Sequence, residues 1–164
     1  MRWAVEVLAV DPSDRLLEIG CGRGVALSLI CPKLGADGRM VALDRSATMI
    51  AAAAERNREH VEEKKLALYT AAIGDGVLGE QTFDKIFAVN VNLFWVSDPA
   101  EELEAIRTHL APEGTLHLFW EPPSPDKTPA MANKVGAALE RNGFTFTQIL
   151  TRPAFLTFVA RPSG

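Results

Sequence analysis

Apolar runs of strand length alternate with longer helix-patterned stretches from almost the first residue onward. Five runs read as strands: Arg15 to Ile19, Met40 to Asp44, Leu66 to Ala71, Lys85 to Val91 and Thr115 to Trp120. The first four carry few alternating polar residues, the pattern of strands covered by helices on both faces. Strands separated by helices pair in parallel through right-handed crossovers. Ser46 caps a predicted helix from Ala47 to His60, whose Ala51-Ala52-Ala53-Ala54 core has the highest intrinsic propensity. Asp98 before Pro99, with Glu101 at the capping-box position, starts a helix to about Leu110, and Thr128-Pro129 starts another ending near Gly143. A helix between Gly24 and Leu34 is cut short by Pro32. After Gly143 the period changes to two, in Phe144 to Ile149 and in Phe155 to Val159. Their connection through Arg152-Pro153 is too short for a helical crossover, so they pair as an antiparallel hairpin. The expected fold class is α/β: a Rossmann-like, doubly wound, seven-stranded sheet, mostly parallel with a C-terminal antiparallel hairpin, in one domain over 1–164.

Composition agrees with a packed chain: 48% of the 164 residues are hydrophobic and 23% charged. Seventeen Lys and Arg against 21 Asp and Glu give a net charge of −4, so no basic field draws nucleic acid. Cys21 and Cys31 are too few for a disulfide framework and have no zinc-ligand spacing. No metal site is expected, and the cysteine usage points to a reducing, cytoplasmic setting. Glu6 breaks the apolar start and no small-residue cleavage site follows, which argues against a signal peptide. The apolar run around Ile86 to Val96 contains Asn90 and Asn92 and falls short of the roughly 18 to 20 residues that span a bilayer. No membrane span is expected.

The chemistry concentrates in Leu16-Leu17-Glu18-Ile19-Gly20-Cys21-Gly22-Arg23-Gly24, a strand that runs into three glycines and then a helix. Such a turn lies at the carboxyl edge of the sheet, where α/β folds bind ligands. Its amides are expected to donate to an anionic or carboxylate group. The spacing is Gly-x-Gly-x-Gly with Val25 following, whereas the dinucleotide fingerprint is Gly-x-Gly-x-x-Gly/Ala, which disfavours a pyrophosphate. Glu18 puts a carboxylate in an apolar strand, which is costly without a partner. Backbone amides or an arginine such as Arg23 would serve, and a ligand ammonium fits better. Asp44 ends the second strand, where an acid takes both hydroxyls of a ribose or, alone, complements the helix starting at Ser46.

Glu18-Ile19-Gly20-Cys21-Gly22-Arg23-Gly24, then Ala42-Leu43-Asp44-Arg45-Ser46 with Met49, resembles the class I methyltransferases that use S-adenosylmethionine. Phe83 to Asn90 and Leu110 to Leu116 look like that family's fourth strand and the turn into its fifth. The resemblance implies a cofactor, S-adenosylmethionine with S-adenosylhomocysteine as product. It places Glu18 and the loop of Gly20, Cys21, Gly22 and Gly24 at the methionine end, Asp44 at the ribose, and Arg45 and Met49 against ribose or adenine. Where the family often carries an acid after the third strand, this chain reads Thr70-Ala71-Ala72-Ile73-Gly74-Asp75. Either Ala72 and Ile73 make backbone and apolar contacts, or Asp75 takes the acidic role in a shifted register; the first is favoured. Asn90-Val91-Asn92-Leu93 lacks the Asn/Asp-Pro-Pro-aromatic signature of amino-methylating nucleic-acid enzymes, which removes support for a DNA base.

The expected function is methyl transfer to an unidentified acceptor, a small molecule in the first instance. Rivals are a catalytically silent cofactor-binding module or accessory subunit and an NAD(P)-dependent oxidoreductase. Asn90, Asn92, Phe94 and Trp95 are expected to face the cleft near the transferred methyl, with the aromatic pair lining an acceptor pocket or packing under a loop. Trp3 and an N-terminal helix are expected to close the cofactor from above. Few residues precede the first strand to build a cap, so an open site or one covered by a homo-oligomer or partner subunit is expected. No catalytic base is assigned: His117 reads as a core or surface residue, His60 and His109 as helix-end groups, and Glu121 is best placed at the end of the fifth strand.

Overall fold

The computed structural model describes residues 1–151 and 155–164, so the predicted Arg152-Pro153 connection lies outside the described residues. Seven strands form one sheet in the order β3-β2-β1-β4-β5-β7-β6. These are β1 (Arg15–Ile19), β2 (Arg39–Asp44), β3 (Leu66–Thr70), β4 (Phe83–Val89), β5 (Leu110–Trp120), β6 (Phe144–Thr151) and β7 (Phe155–Pro162). The first five pair in parallel; β7 runs antiparallel to β5, and β6 antiparallel to β7. The expected fold class, terminal hairpin included, is the one observed.

Alternation along the strands builds two cores. From β1, Leu16 points into one with α1 (Arg2–Leu8), α2 (Val25–Ile30) and α3 (Ala47–Arg56). Leu17 and Ile19 point into the other with α5 (Leu93–Val96), α6 (Ala100–His109) and α7 (Thr128–Arg141). Leu16 and Leu17 are both fully buried. Each contributes roughly 1.5 to 3 kcal/mol of transfer free energy, which anchors β1 beneath the loop that follows it.

Several boundaries and two caps differ from the sequence expectation, β5 among them, which starts at Leu110 rather than Thr115. The helix predicted over Ala47 to His60 breaks at Asn57 into α3 and α4 (Arg58–Glu62). Asn57 is 2% exposed, and its amide donates to Gly24 O and Ala53 O, both at 3.0 Å. The helix thus yields its regularity to hold the glycine loop. β4 stops at Val89 because Asn90 adopts φ +56°. Neither Asp98 nor Thr128 caps a helix: α6 and α7 begin without a side-chain cap, and the Thr128 hydroxyl donates to Ser124 O at 3.4 Å. Pro32 does shorten α2, whose last turn tightens into a 3₁₀ segment over Cys31–Lys33.

Gly24 is constrained twice, by φ +77° and by the space a side chain would need, 2.7 Å from Asn57 Nδ2 and 2.9 Å from Ala53 Cβ. Gly22 has φ +54° and open space around the same position. Gly24→Ala is therefore expected to lose roughly 3 kcal/mol in urea unfolding, backbone strain plus overpacking. Gly22→Ala should lose about 1 kcal/mol, from strain alone. Equal losses would show that the Asn57 clamp does not constrain the loop.

Candidate functional site

The loop after β1 holds Gly20, Gly22 and Gly24 at φ +73°, +54° and +77°. The N–H groups of Gly20 and Cys21 both donate to Leu43 O, at 2.8 and 2.9 Å, and that of Gly24 donates to Cys21 O at 3.0 Å. The Gly22 N–H donates to Asp44 Oδ2 at 2.9 Å. These four amides are occupied within the protein, so of the expected donors the structure leaves those of the helix start, where α2 begins without a side-chain cap. What the loop presents is surface without Cβ atoms. At Gly20 a Cβ would lie 2.7 Å from Val91 Cγ2, so glycine lets the loop after β4 close onto the loop after β1.

Asp44 braces this arrangement. Its Oδ1 accepts from Ser46 N–H at 2.9 Å while Oδ2 holds Gly22, so the β1 loop, β2 and α3 are fixed together. Each carboxylate oxygen retains a further lone pair for a ligand hydroxyl. Ser46 caps α3 as expected, accepting from Met49 N–H at 3.3 Å. Glu18 lies on the same face of β1 as Leu16, 1% exposed, and its Oε2 has no hydrogen-bond partner. None of the ion pairs among the described residues involves Glu18, so Arg23 is not its partner. Burial, and then the charge of Asp44, push the Glu18 carboxyl up to about 8.

Beside these acids a cavity of about 190 Å³ opens at the carboxyl edge of the sheet. Its walls are Ile19, Ala71, Ala72, Ile73, Val91 and Leu93, with Gly20, Asp44, Arg45 and Glu102 completing it. Of the predicted site residues, Gly20, Asp44, Arg45, Ala72 and Ile73 meet here. Glu18 and Cys21 lie outside it, the Cys21 side chain in the core under α2, where burial raises its thiol to about 12. Gly22 stands beside Asp44, Gly24 beside Asn57, and Met49 in the first turn of α3. The Asn90 side chain is turned onto the Glu121 N–H at 2.8 Å. Asp75 accepts from Ala72 N–H at 2.8 Å and does not line the cavity, whereas Ala72 and Ile73 do. Glu102 was missed: at the start of α6 the sequence singles out only Glu101, at the capping-box position, and nothing local says that its neighbour lines the cavity.

A family model described as a methyltransferase domain matches residues 17–116. The chain belongs to that methyltransferase family. An uncharacterized protein of Synechococcus sp. is 34% identical over 110 residues, 64% of this chain and 25% of that protein. A 2-phytyl-1,4-naphtoquinone methyltransferase of Synechococcus elongatus is 34% identical over 58 residues, 35% of this chain and 25% of that enzyme. The matches thus span about a quarter of these relatives' length. Among solved structures, a SAM-dependent methyltransferase from Aquifex aeolicus superposes with a TM-score of 0.79 at 20% identity, covering 96% of this chain and 88% of that one. The fold is that of the class I methyltransferases.

Other expected positions in this methyltransferase domain move away from the cleft. Phe94 is 2% exposed and packs edge-on against Trp120 at 6.4 Å, in the core rather than at the cleft. Trp95 is half-buried outside the cleft, its indole N–H donating to Asn92 Oδ1 at 3.3 Å. The loop turns because Leu93 and Val91, aliphatic and closer to the strand, fill the cleft wall. Trp3 stacks on Phe155 at 4.1 Å and meets Phe119 edge-on, over the sheet face that α1 covers. His117 is buried with Nε2 against Thr115 Oγ1 at 2.8 Å, and burial followed by Lys85 and Arg161 depresses it to about 4. It is a core residue. His109 Nδ1 is 2.8 Å from Gln81 O. No helix among the described residues is long and apolar enough to cross a membrane.

The two shifted groups act in separate pH windows. His117 is depressed from 6.5, so the stability it contributes is present above 6.5 and lost as pH falls toward 4. Glu18 is an acid raised from 4.5 to about 8, so its neutral form favours folding below 4.5 and that advantage is lost as pH rises to 8. Between pH 6.5 and 8 the ligand-free protein is expected to lose about 2 kcal/mol relative to Glu18→Gln in urea unfolding. Parallel stability curves for the two proteins across that window would contradict the burial of an ionisable Glu18.

Proposed function

We propose that the chain transfers a methyl group from S-adenosylmethionine to a small-molecule acceptor, releasing S-adenosylhomocysteine. The observation that carries this reading is the pairing of a narrow aliphatic cleft, edged by Asp44 and Glu102, with a buried Glu18 oxygen that lacks a partner. An adenosyl amino acid is chemically complementary to that set. Its ammonium group would satisfy Glu18, its ribose hydroxyls the free lone pairs of Asp44, and its purine the aliphatic walls from Ile73 and Leu93. Glu102 would accept from the purine amine, the task that an acid after β3 performs in the family pattern and that Ile73 cannot. The open side of Gly22 leaves room for the amino-acid end. A pyrophosphate finds fewer partners, because four of the loop amides are occupied. This weighs against the oxidoreductase alternative.

When bound, the sulfonium supplies a methyl group already activated for displacement. What remains for the protein is alignment and exclusion of water. Asn90 and Val91 hold the edge of the sheet in register for this. Asn90 Oδ1 accepts the Glu121 N–H at 2.8 Å, and Trp120 donates its indole N–H to Val91 O at 3.2 Å. The tips of β4 and β5, between which an acceptor would be placed, are thereby joined.

S-adenosylhomocysteine is expected to raise the melting temperature of the wild-type protein, and NAD and NADP to leave it unchanged. Glu102→Ala should weaken S-adenosylhomocysteine binding about ten-fold, one hydrogen bond to a charged group, and leave S-inosylhomocysteine, which lacks the purine amine, unaffected. Stabilisation by NAD, or equal loss for both nucleosides, would overturn the assignment.

A further inference from the structure

Beyond the cleft, two hollows flank Trp95. One, of about 470 Å³, lies between α5 and α7 and includes Val96, Asp98, Lys134 and Arg141. The other, of about 230 Å³, includes Pro123, Asp126, Lys127 and Lys134. Trp95 and Lys134 line both, so the indole forms the wall between them with open space against it on either side. Its hydrogen bond to Asn92 fixes the ring before any ligand arrives. Val96, at the end of the same short helix, is 66% exposed, a large apolar side chain left without cover.

The charge around this indole is uncompensated. None of the ion pairs among the described residues involves Lys127, Lys134 or Arg141, although the chain as a whole carries −4. Asp98 and Asp126 line the hollows but do not pair with these cations. Three cations against two carboxylates leave a local positive excess around an aromatic surface. The position also matters. Leu93, the first residue of α5, lines the cleft, and Trp95 of the same helix lines the hollows. Pro123 follows the tip of β5 and Lys127 directly precedes α7. Two apart on a helix, Leu93 and Trp95 face opposite sides of α5, so the hollows lie across that helix from the cleft and share no lining residue with it.

We propose that the Trp95 hollows bind a flat apolar molecule bearing a carboxylate, its ring against the indole and its anionic group on Lys127 and Lys134. This goes beyond the methyl-transfer reading above and assigns the hollows, apart from the cleft, an aromatic or unsaturated carboxylic acid as ligand. The indole supplies contact area at low entropic cost, and the lysines discriminate an acid from its neutral isostere.

The test uses 2-naphthoate and its uncharged counterpart 2-naphthamide, each titrated into the full chain and followed by tryptophan fluorescence and calorimetry. Naphthoate is expected to bind at least about ten-fold more tightly than the amide, the size of one charge-assisted contact. The Lys127→Gln/Lys134→Gln double variant, altered at two exposed positions, should lose that preference while binding S-adenosylhomocysteine as the wild type does. Equal binding of acid and amide to the wild type, or a preference that survives in the double variant, would overturn the proposal. If S-adenosylhomocysteine fails to bind while naphthoate is still held through the lysines, the methyl-transfer reading falls and the anion site stands alone.

Discussion

The architecture turns on a carboxyl group that the fold buries without satisfying. Glu18 stands on the central strand, 1% exposed, with Oε2 unpartnered and the Asp44 charge nearby. Leucine at that position would pack the core under α1 to α3 and stabilise the ligand-free chain, since a buried unpaired polar group costs about 1 to 3 kcal/mol. In the methyl-transfer reading proposed above, that oxygen is held for a ligand cation. The surrounding geometry keeps it in place: Asn57 clamps Gly24, Asp44 clamps Gly22, and Leu43 O receives both Gly20 and Cys21. Stability in this region is surrendered at one residue and recovered from its neighbours.

The same clamps explain which nucleotide chemistry the loop can support. A loop that binds pyrophosphate keeps its amides pointing outward, whereas this one commits those of Gly20, Cys21, Gly22 and Gly24 to the protein. In the proposed reading, recognition would fall to side chains at the tips of neighbouring strands, with Asp44 from β2 and the Ala71 to Ile73 segment after β3 lining the cavity. Since β2, β1 and β4 are adjacent in the sheet, their tips converge without any long loop.

Much of this fold is legible in the sequence because each strand carries its own punctuation. β1 and the terminal hairpin could be read from period alone, and Ser46 as a cap from its place before a run of alanines. What was not legible depends on groups distant in the chain. Asn57 interrupts an alanine-rich helix because Gly24, 33 residues away, needs its amide. Phe94 looks like a cleft residue until β5 supplies Trp120 as its packing partner. At the site, Asp44 and the glycines announced themselves, while the direction of the loop amides followed from Leu43 and Asp44 oxygens that no local motif predicts. Glu102 lay hidden for the opposite reason: acids crowd the first turns of helices everywhere.

The account predicts that ligand binding and the ionisation of Glu18 are one event. At pH 7 a carboxyl raised to about 8 is mostly protonated, and an incoming ammonium group requires the carboxylate. Calorimetric titration of S-adenosylhomocysteine in buffers of different ionisation enthalpy measures the proton released. Close to one proton per ligand at pH 7 from the wild type, and none from Glu18→Gln, is the predicted result. Binding without proton release, or the same release from both proteins, would contradict it.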